Sequence, residues 1–155
     1  MTNEEVTILV EMAKRLRKKL LELPDPGAKS FYRADSLADT KKFIIQFFRG
    51  NGRRDKYQVA LLYKKSFVLM RVDTGASGVH YNTDQTVIPP NTPHLHYYNE
   101  NIEHENKCHD AIILPEQFAN PSDAIQLLRD FLEYINIVDI EDVQIVQQGG
   151  FTYGH

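Results

Sequence analysis

Three runs rich in aromatic and β-branched residues follow one another with almost nothing between them: Lys42–Arg49, Tyr57–Tyr63 and residues 66–73. Such residues favour a pleated, half-buried strand. Gly50-Asn51-Gly52 marks a turn after the first run, and Lys64-Lys65 joins the second to the third as a tight hairpin. Parallel neighbours would need a crossover of about a dozen residues or more, and there is no room for one. The strands are therefore expected to pair antiparallel. Residues 95–100 and 111–114 read as two further short strands. The segment between Asn82 and Pro93 holds Pro89, Pro90 and Pro93 and cannot lie inside a central strand.

Helical spacing flanks this block. Val6, Leu9, Ala13, Leu16, Leu20 and Leu23 recur at intervals of three and four, which predicts an amphipathic helix over residues 3–23, capped by Thr2 or Asn3 and stopped by Pro24, Pro26 and Gly27. Lys14, Arg15, Arg17, Lys18 and Lys19 crowd its last turns, either as a solvated face or as a contact for phosphate or an acidic partner. A second helix opens at Pro121-Ser122-Asp123, with Ser122 or Asn120 as cap and Ile125, Leu128, Leu132 and Ile135 as its apolar stripe, supported by Leu127 and Phe131. Val143, Ile145 and Val146 suggest an edge strand before Gly149-Gly150. The order implies an α+β fold: an antiparallel sheet of four to six strands with an N-terminal and a C-terminal amphipathic helix on one face. At 155 residues, one domain over 1–155 is expected.

A formal charge of −3 exerts no global pull on nucleic acid, so direct nucleic-acid binding is not expected. One cysteine builds no intramolecular disulfide. The acidic start, Thr2-Asn3-Glu4-Glu5, is unlike a signal peptide, and no apolar run approaches the ~20 residues of a membrane span. A cytoplasmic protein is the expectation.

Chemistry concentrates in one stretch. Five of the six histidines and the only cysteine lie between His80 and His109. His94 and His96 stand at i, i+2, so on a strand they point the same way. Imidazole and thiolate are zinc ligands, and a site needs three or four of them converging. The candidate ligands are His80, His94, His96 and Cys108, with His104 and His109 as alternatives for the fourth place. His104 and Cys108 fall near the tip of a hairpin between residues 94–100 and 110–114, on the order of 13 Å beyond His96 unless the loop folds back. The plain alternatives are solvated surface histidines and a cysteine buried as a small hydrophobe. Two histidines on one face also suit acid and base roles in phosphodiester cleavage. Tyr97, Tyr98, Glu100, Asp73 and Asp84 are placed to orient imidazoles, and Glu100 or Asp110 to act as a carboxylate base beside a metal. No nucleophile elbow, phosphate loop or His-Glu-x-x-His motif is present.

The segments Val68-Leu69-Met70-Arg71-Val72-Asp73, His80-Tyr81-Asn82 and Pro93-His94-Leu95-His96-Tyr97-Tyr98-Asn99-Glu100 resemble a family of small, uncharacterised bacterial and phage proteins. Its pattern is a strand ending Arg-Leu-Asp, a His-x-Asn-Pro-Asp-Gly turn and a Gly-x-His-x-His-x-Tyr-x-Glu strand. About thirty residues match, and His80, Asn82, His94, His96, Tyr98 and Glu100 carry the pattern. Here Asn82 is followed by Thr83 and Asp84, without the proline, and the loop bearing His104, Cys108 and His109 is longer. Two roles follow from resemblance. One is a zinc-containing anti-CRISPR protein, whose protein partner is Cas9 or its guide complex and whose zinc is structural. The other is a histidine-dependent ribonuclease toxin of a toxin–antitoxin pair. The first leads; in it the chain performs no chemistry of its own.

Overall fold

Hydrogen-bond register ties seven of the strands into one sheet. The computed structural model describes residues 1–51, 56–103 and 105–147. Its elements run in chain order as α1 (Asn3–Glu11), β1 (Lys14–Leu16), β2 (Leu20–Leu23), β3 (Lys29–Ser36), β4 (Lys42–Arg49), β5 (Tyr57–Tyr63), β6 (Phe67–Asp73), β7 (His80–Tyr81), β8 (Val87–Ile88), β9 (His94–Tyr97), β10 (Ala111–Ile113), α2 (Ala124–Tyr134) and β11 (Gln144–Gln147). Seven strands form the main sheet in the order β1-β3-β4-β5-β6-β9-β10. Every neighbouring pair in it is antiparallel, as the short connections require. Seven exceeds the four to six expected, because β1 and β3 carry no strong strand signal of their own. The β5–β6 hairpin turns at Lys64 and Lys65, both left-handed at φ +51° and +76°.

The N-terminal segment departs from its periodicity. α1 ends at Glu11, not near residue 23, and residues 14–23 form β1 and β2. The stripe Val6–Leu9 belongs to a helix. Leu21 and Leu23, however, are buried on alternate positions while Leu20 and Glu22 are exposed, a strand pattern. Pairing decides the matter: β1 adds to β3, and β2 pairs with β11. That second pair is parallel, so the C-terminal strand is an edge pairing of a kind not anticipated, its crossover being most of the chain.

Lys14 illustrates the consequence. It is fully buried, and its Nζ donates to the carbonyls of Val10 (2.7 Å), Met12 (2.9 Å) and Ile135 (2.8 Å). Those carbonyls lie at the C-terminal ends of α1 and α2, where a cation suits the helix dipoles. Three others of the basic cluster are in ion pairs: Arg17 with Asp35, and Arg15 and Lys19 with Asp139.

α2 is capped by Asp123, whose carboxylate accepts from the Ile125 and Gln126 amides; neither Ser122 nor Asn120 does this. Leu127, Leu128, Phe131 and Leu132 are completely buried against the sheet, whereas Ile125 is partly exposed. Burial of each such side chain contributes about 1.5–3 kcal/mol. Both helices cover the face that carries Met70 and Leu95, leaving between them a groove of about 760 Å³ lined also by Val6, Val10 and Tyr134. His94 and His96 alternate with Leu95 and therefore face the other way.

Candidate metal centre

Register brings four polar residues of neighbouring strands onto that second face. In the β6–β9 pair, Arg71 stands opposite His96 and Asp73 opposite His94. Cross-strand partners on one face have Cβ atoms about 5 Å apart, so the four side chains must meet. His94 and His96 are each 4% exposed and Asp73 8%.

The two imidazoles are oriented from behind. His94 Nδ1 lies 2.9 Å from the Thr92 carbonyl, and His96 Nδ1 lies 2.9 Å from the His109 carbonyl. A carbonyl only accepts, so each Nδ1 carries a proton and both rings turn Nε2 toward one another. Those two Nε2 atoms are 3.1 Å apart. Two bare lone pairs at that distance would repel, so the pair needs a proton on one Nε2 or a metal ion between them. Asp73 Oδ2 completes the group, 3.3 Å from His96 Nε2 and 3.9 Å from His94 Nε2. Among the described residues, one donor atom from each of Asp73, His94 and His96 fits within 4.8 Å of the others.

Electrostatics prepare the same three groups as ligands. Burial pulls the His94 imidazolium below its usual range and keeps the ring neutral, against a smaller opposing effect from its Thr92 hydrogen bond. Burial pushes the Asp73 carboxyl up, but the His96 hydrogen bond and the Arg71 guanidinium outweigh it and hold the carboxyl below its usual range. Arg71 grips Asp73 as a fork, Nε to Oδ1 at 2.7 Å and Nη2 to Oδ2 at 3.0 Å. Metal-binding carboxylates are typically held by such an outer hydrogen-bond partner.

The other expected ligands lie around this trio. His80, on β7, stacks on His94 (ring centroids 5.5 Å, planes 16° apart) and meets His96 edge-on at 5.0 Å. Its Nε2 is buried with no hydrogen-bond partner. Burial, and then the neighbouring histidines, lower its pKa. The loop after β9 folds back, so Cys108 is not stranded at a distant tip: pairing continues from Asn99 N–H to the Lys107 carbonyl at 2.9 Å. Cys108 thus reaches the wall of the same cleft, which spans about 330 Å³ and is lined by Arg71, Asp73, His80, His94, His96 and His109 among others. Its Sγ donates to the Val68 carbonyl at 3.4 Å, and burial pushes its thiol up to about 11. His109 turns Nε2 to the Tyr81 carbonyl at 2.8 Å. His104 lies outside the described residues.

Two polar clamps hold His80 in place. The Asn82 amide pairs with the backbone of Ala111 like a strand neighbour, Nδ2 donating to the carbonyl (2.9 Å) and Oδ1 accepting from the amide (2.8 Å). Asp110 accepts from Thr83 N (2.8 Å), Thr83 Oγ1 (2.7 Å) and Asn99 Nδ2 (3.2 Å). Proline at position 83 would lack the first of these donors. The glycine of the resembling turn corresponds to Gln85, which adopts φ +73°. Tyr98 and Glu100 serve elsewhere: the Tyr98 hydroxyl donates to the Met1 carbonyl at 2.7 Å, and Glu100 exchanges hydrogen bonds with Asn3 at the start of α1. Asp110, bound to Thr83 and Asn99, likewise positions the hairpin.

Asp73 was foreseen only as an orienting group, and Arg71 not at all. Their signal was the alternation Arg71-x-Asp73, matching His94-x-His96, but nothing local says that these two strands are neighbours.

The family profile described as a family of unknown function, DUF6978, matches residues 1–137. The chain belongs to that family. No curated protein and no solved structure matches it. No helix among the described residues is long and apolar enough to cross a membrane.

Proposed function

We propose that this chain is a zinc protein whose ion is held by His94, His96 and Asp73, with an open position facing the cleft. The observation that carries this reading is the 3.1 Å contact between two Nε2 atoms whose Nδ1 atoms are both committed to carbonyls. Zinc–nitrogen bonds of about 2.0–2.1 Å put ligand atoms roughly 2.9 Å apart at a right angle and 3.4 Å apart at a tetrahedral one. The 3.1 and 3.3 Å edges fall in that window, and the 3.9 Å edge lies about half an ångström beyond it.

Two His and one carboxylate with a vacant place describe a centre that works on a ligand; four protein donors describe one that only holds the fold. His80 and Cys108 line the cleft outside the set of converging donor atoms. This favours the chemical role of the ribonuclease reading over a closed structural zinc. Elemental analysis of purified protein tests the centre: about one equivalent of zinc is expected, retained in Cys108→Ser and lost in His94→Ala and His96→Ala. Less than about half an equivalent in wild type removes the reading. The Cas9-inhibitor role makes a separate demand: the protein must block target cleavage and co-migrate with the nuclease. RNA degradation abolished by His94→Ala would instead support the toxin role.

A further inference from the structure

The cleft over the histidines is short of negative charge once a divalent ion is in it. Among its lining residues the Arg71 guanidinium and the Asp73 carboxylate cancel, and the lining contains no second carboxylate. A divalent ion at the Asp73–His94–His96 group therefore leaves two positive charges uncompensated in a largely buried setting, which is costly unless a ligand supplies them. Donors for such a ligand stand ready. Arg71 spends Nε and Nη2 on Asp73, is 28% exposed and lines the cleft, which leaves its Nη1 edge for a further acceptor. His80 contributes a buried Nε2 that has no partner within the protein.

We infer that the open position binds the phosphoryl group of a phosphate ester, with Arg71 and His80 donating to its oxygens. A phosphoryl dianion matches the two excess charges, and a guanidinium suits its tetrahedral oxygens. The cleft, about 330 Å³, has the volume of a small-ligand site. This inference rests on the zinc reading above and assigns His80 to the ligand, not to the metal.

Inorganic phosphate is the probe, titrated calorimetrically into full-length protein loaded with zinc, into the metal-free protein, and into zinc-loaded Arg71→Gln, Arg71→Lys and His80→Ala, with acetate as the comparison anion. Zinc content is measured for every sample. Zinc-loaded wild type is expected to bind phosphate at least about tenfold more tightly than metal-free protein or than acetate, since charge-assisted bonds carry most of the affinity. Arg71→Gln, retaining zinc, is expected to weaken phosphate roughly 10- to 100-fold, His80→Ala somewhat less, and Arg71→Lys less than Arg71→Gln. Should Arg71→Gln shed zinc, the Arg71→Lys and His80→Ala proteins decide the question. Full zinc with phosphate no tighter than acetate overturns the phosphate assignment and leaves the centre standing. Loss of zinc in His80→Ala makes His80 a fourth ligand, closes the site and overturns the inference. Absence of zinc from wild type overturns both.

Discussion

His96→Ala separates what the imidazole does for the fold from what it does for an ion. The ring fills a buried place beneath the β7–β8 hairpin, and its Nδ1 satisfies the His109 carbonyl at 2.9 Å. Losing one hydrogen bond to a buried carbonyl and leaving a void costs about 2–4 kcal/mol whether or not metal is present. In a chain of 155 residues that lowers Tm by roughly 5–15 °C. The ion adds a second effect. Zinc sites bind with about 10–16 kcal/mol, so each of the three protein ligands carries about 3–5, and removing one weakens binding by roughly 10²–10⁴-fold. At free zinc near 100 times the wild-type Kd, the ion stabilises the native state by about 2.7 kcal/mol, or 5–11 °C. The same concentration stabilises His96→Ala by less than about 0.5 kcal/mol, under ~2 °C. Calorimetric melting of both proteins, with zinc and after chelation, reads the two effects independently. Equal zinc-induced shifts in wild type and mutant, or no shift in either, would refute the argument from the Nε2 pair.

Three further perturbations test other parts of the structure. Cys108, a buried thiol raised to about 11 and donating to Val68, should react with iodoacetamide at pH 8 about 100-fold more slowly in native protein than in denaturant; similar rates would show that the loop does not hold it as described. Lys14, drawn by burial down to about 7 in the fold, binds fewer protons folded than unfolded between that value and its unfolded pKa. The wild-type stability relative to Lys14→Met should therefore rise with pH through that window, by up to about 1.4 kcal/mol per unit, and a pH-independent difference in urea denaturation would contradict it. Gln85→Gly relieves a left-handed side-chain-bearing residue at φ +73° and should stabilise the protein by about 0.5–1 kcal/mol in the same assay; destabilisation would mean that the Gln85 side chain matters more than its backbone.

Much of this protein was legible one segment at a time. Short connections between β-rich runs forced antiparallel neighbours, the Leu128–Leu132 stripe specified α2 although its cap is Asp123 and not Ser122 or Asn120, and alternation alone put His94 and His96 on one face. Local pattern failed where a distant partner set the outcome. Leu16, Leu20 and Leu23 satisfy a helical stripe, yet residues 14–23 are strands because β3 and β11 offer backbone partners there. Lys14 looks like a solvated cation and is buried, because carbonyls from both helix ends converge on it.

The same division runs through the metal centre. The residues themselves supplied its donor types and the shared direction of its two central imidazoles, since side-chain chemistry and the two-residue period of a strand are local properties. Pairing β6 against β9 decided that Asp73 and Arg71 would meet those imidazoles, and the fold-back of the following loop brought Cys108 to the cleft wall. Strand register and loop path are long-range choices, made by hydrogen bonding and burial across the whole sheet, so only the tertiary structure could turn a crowd of histidines into a site.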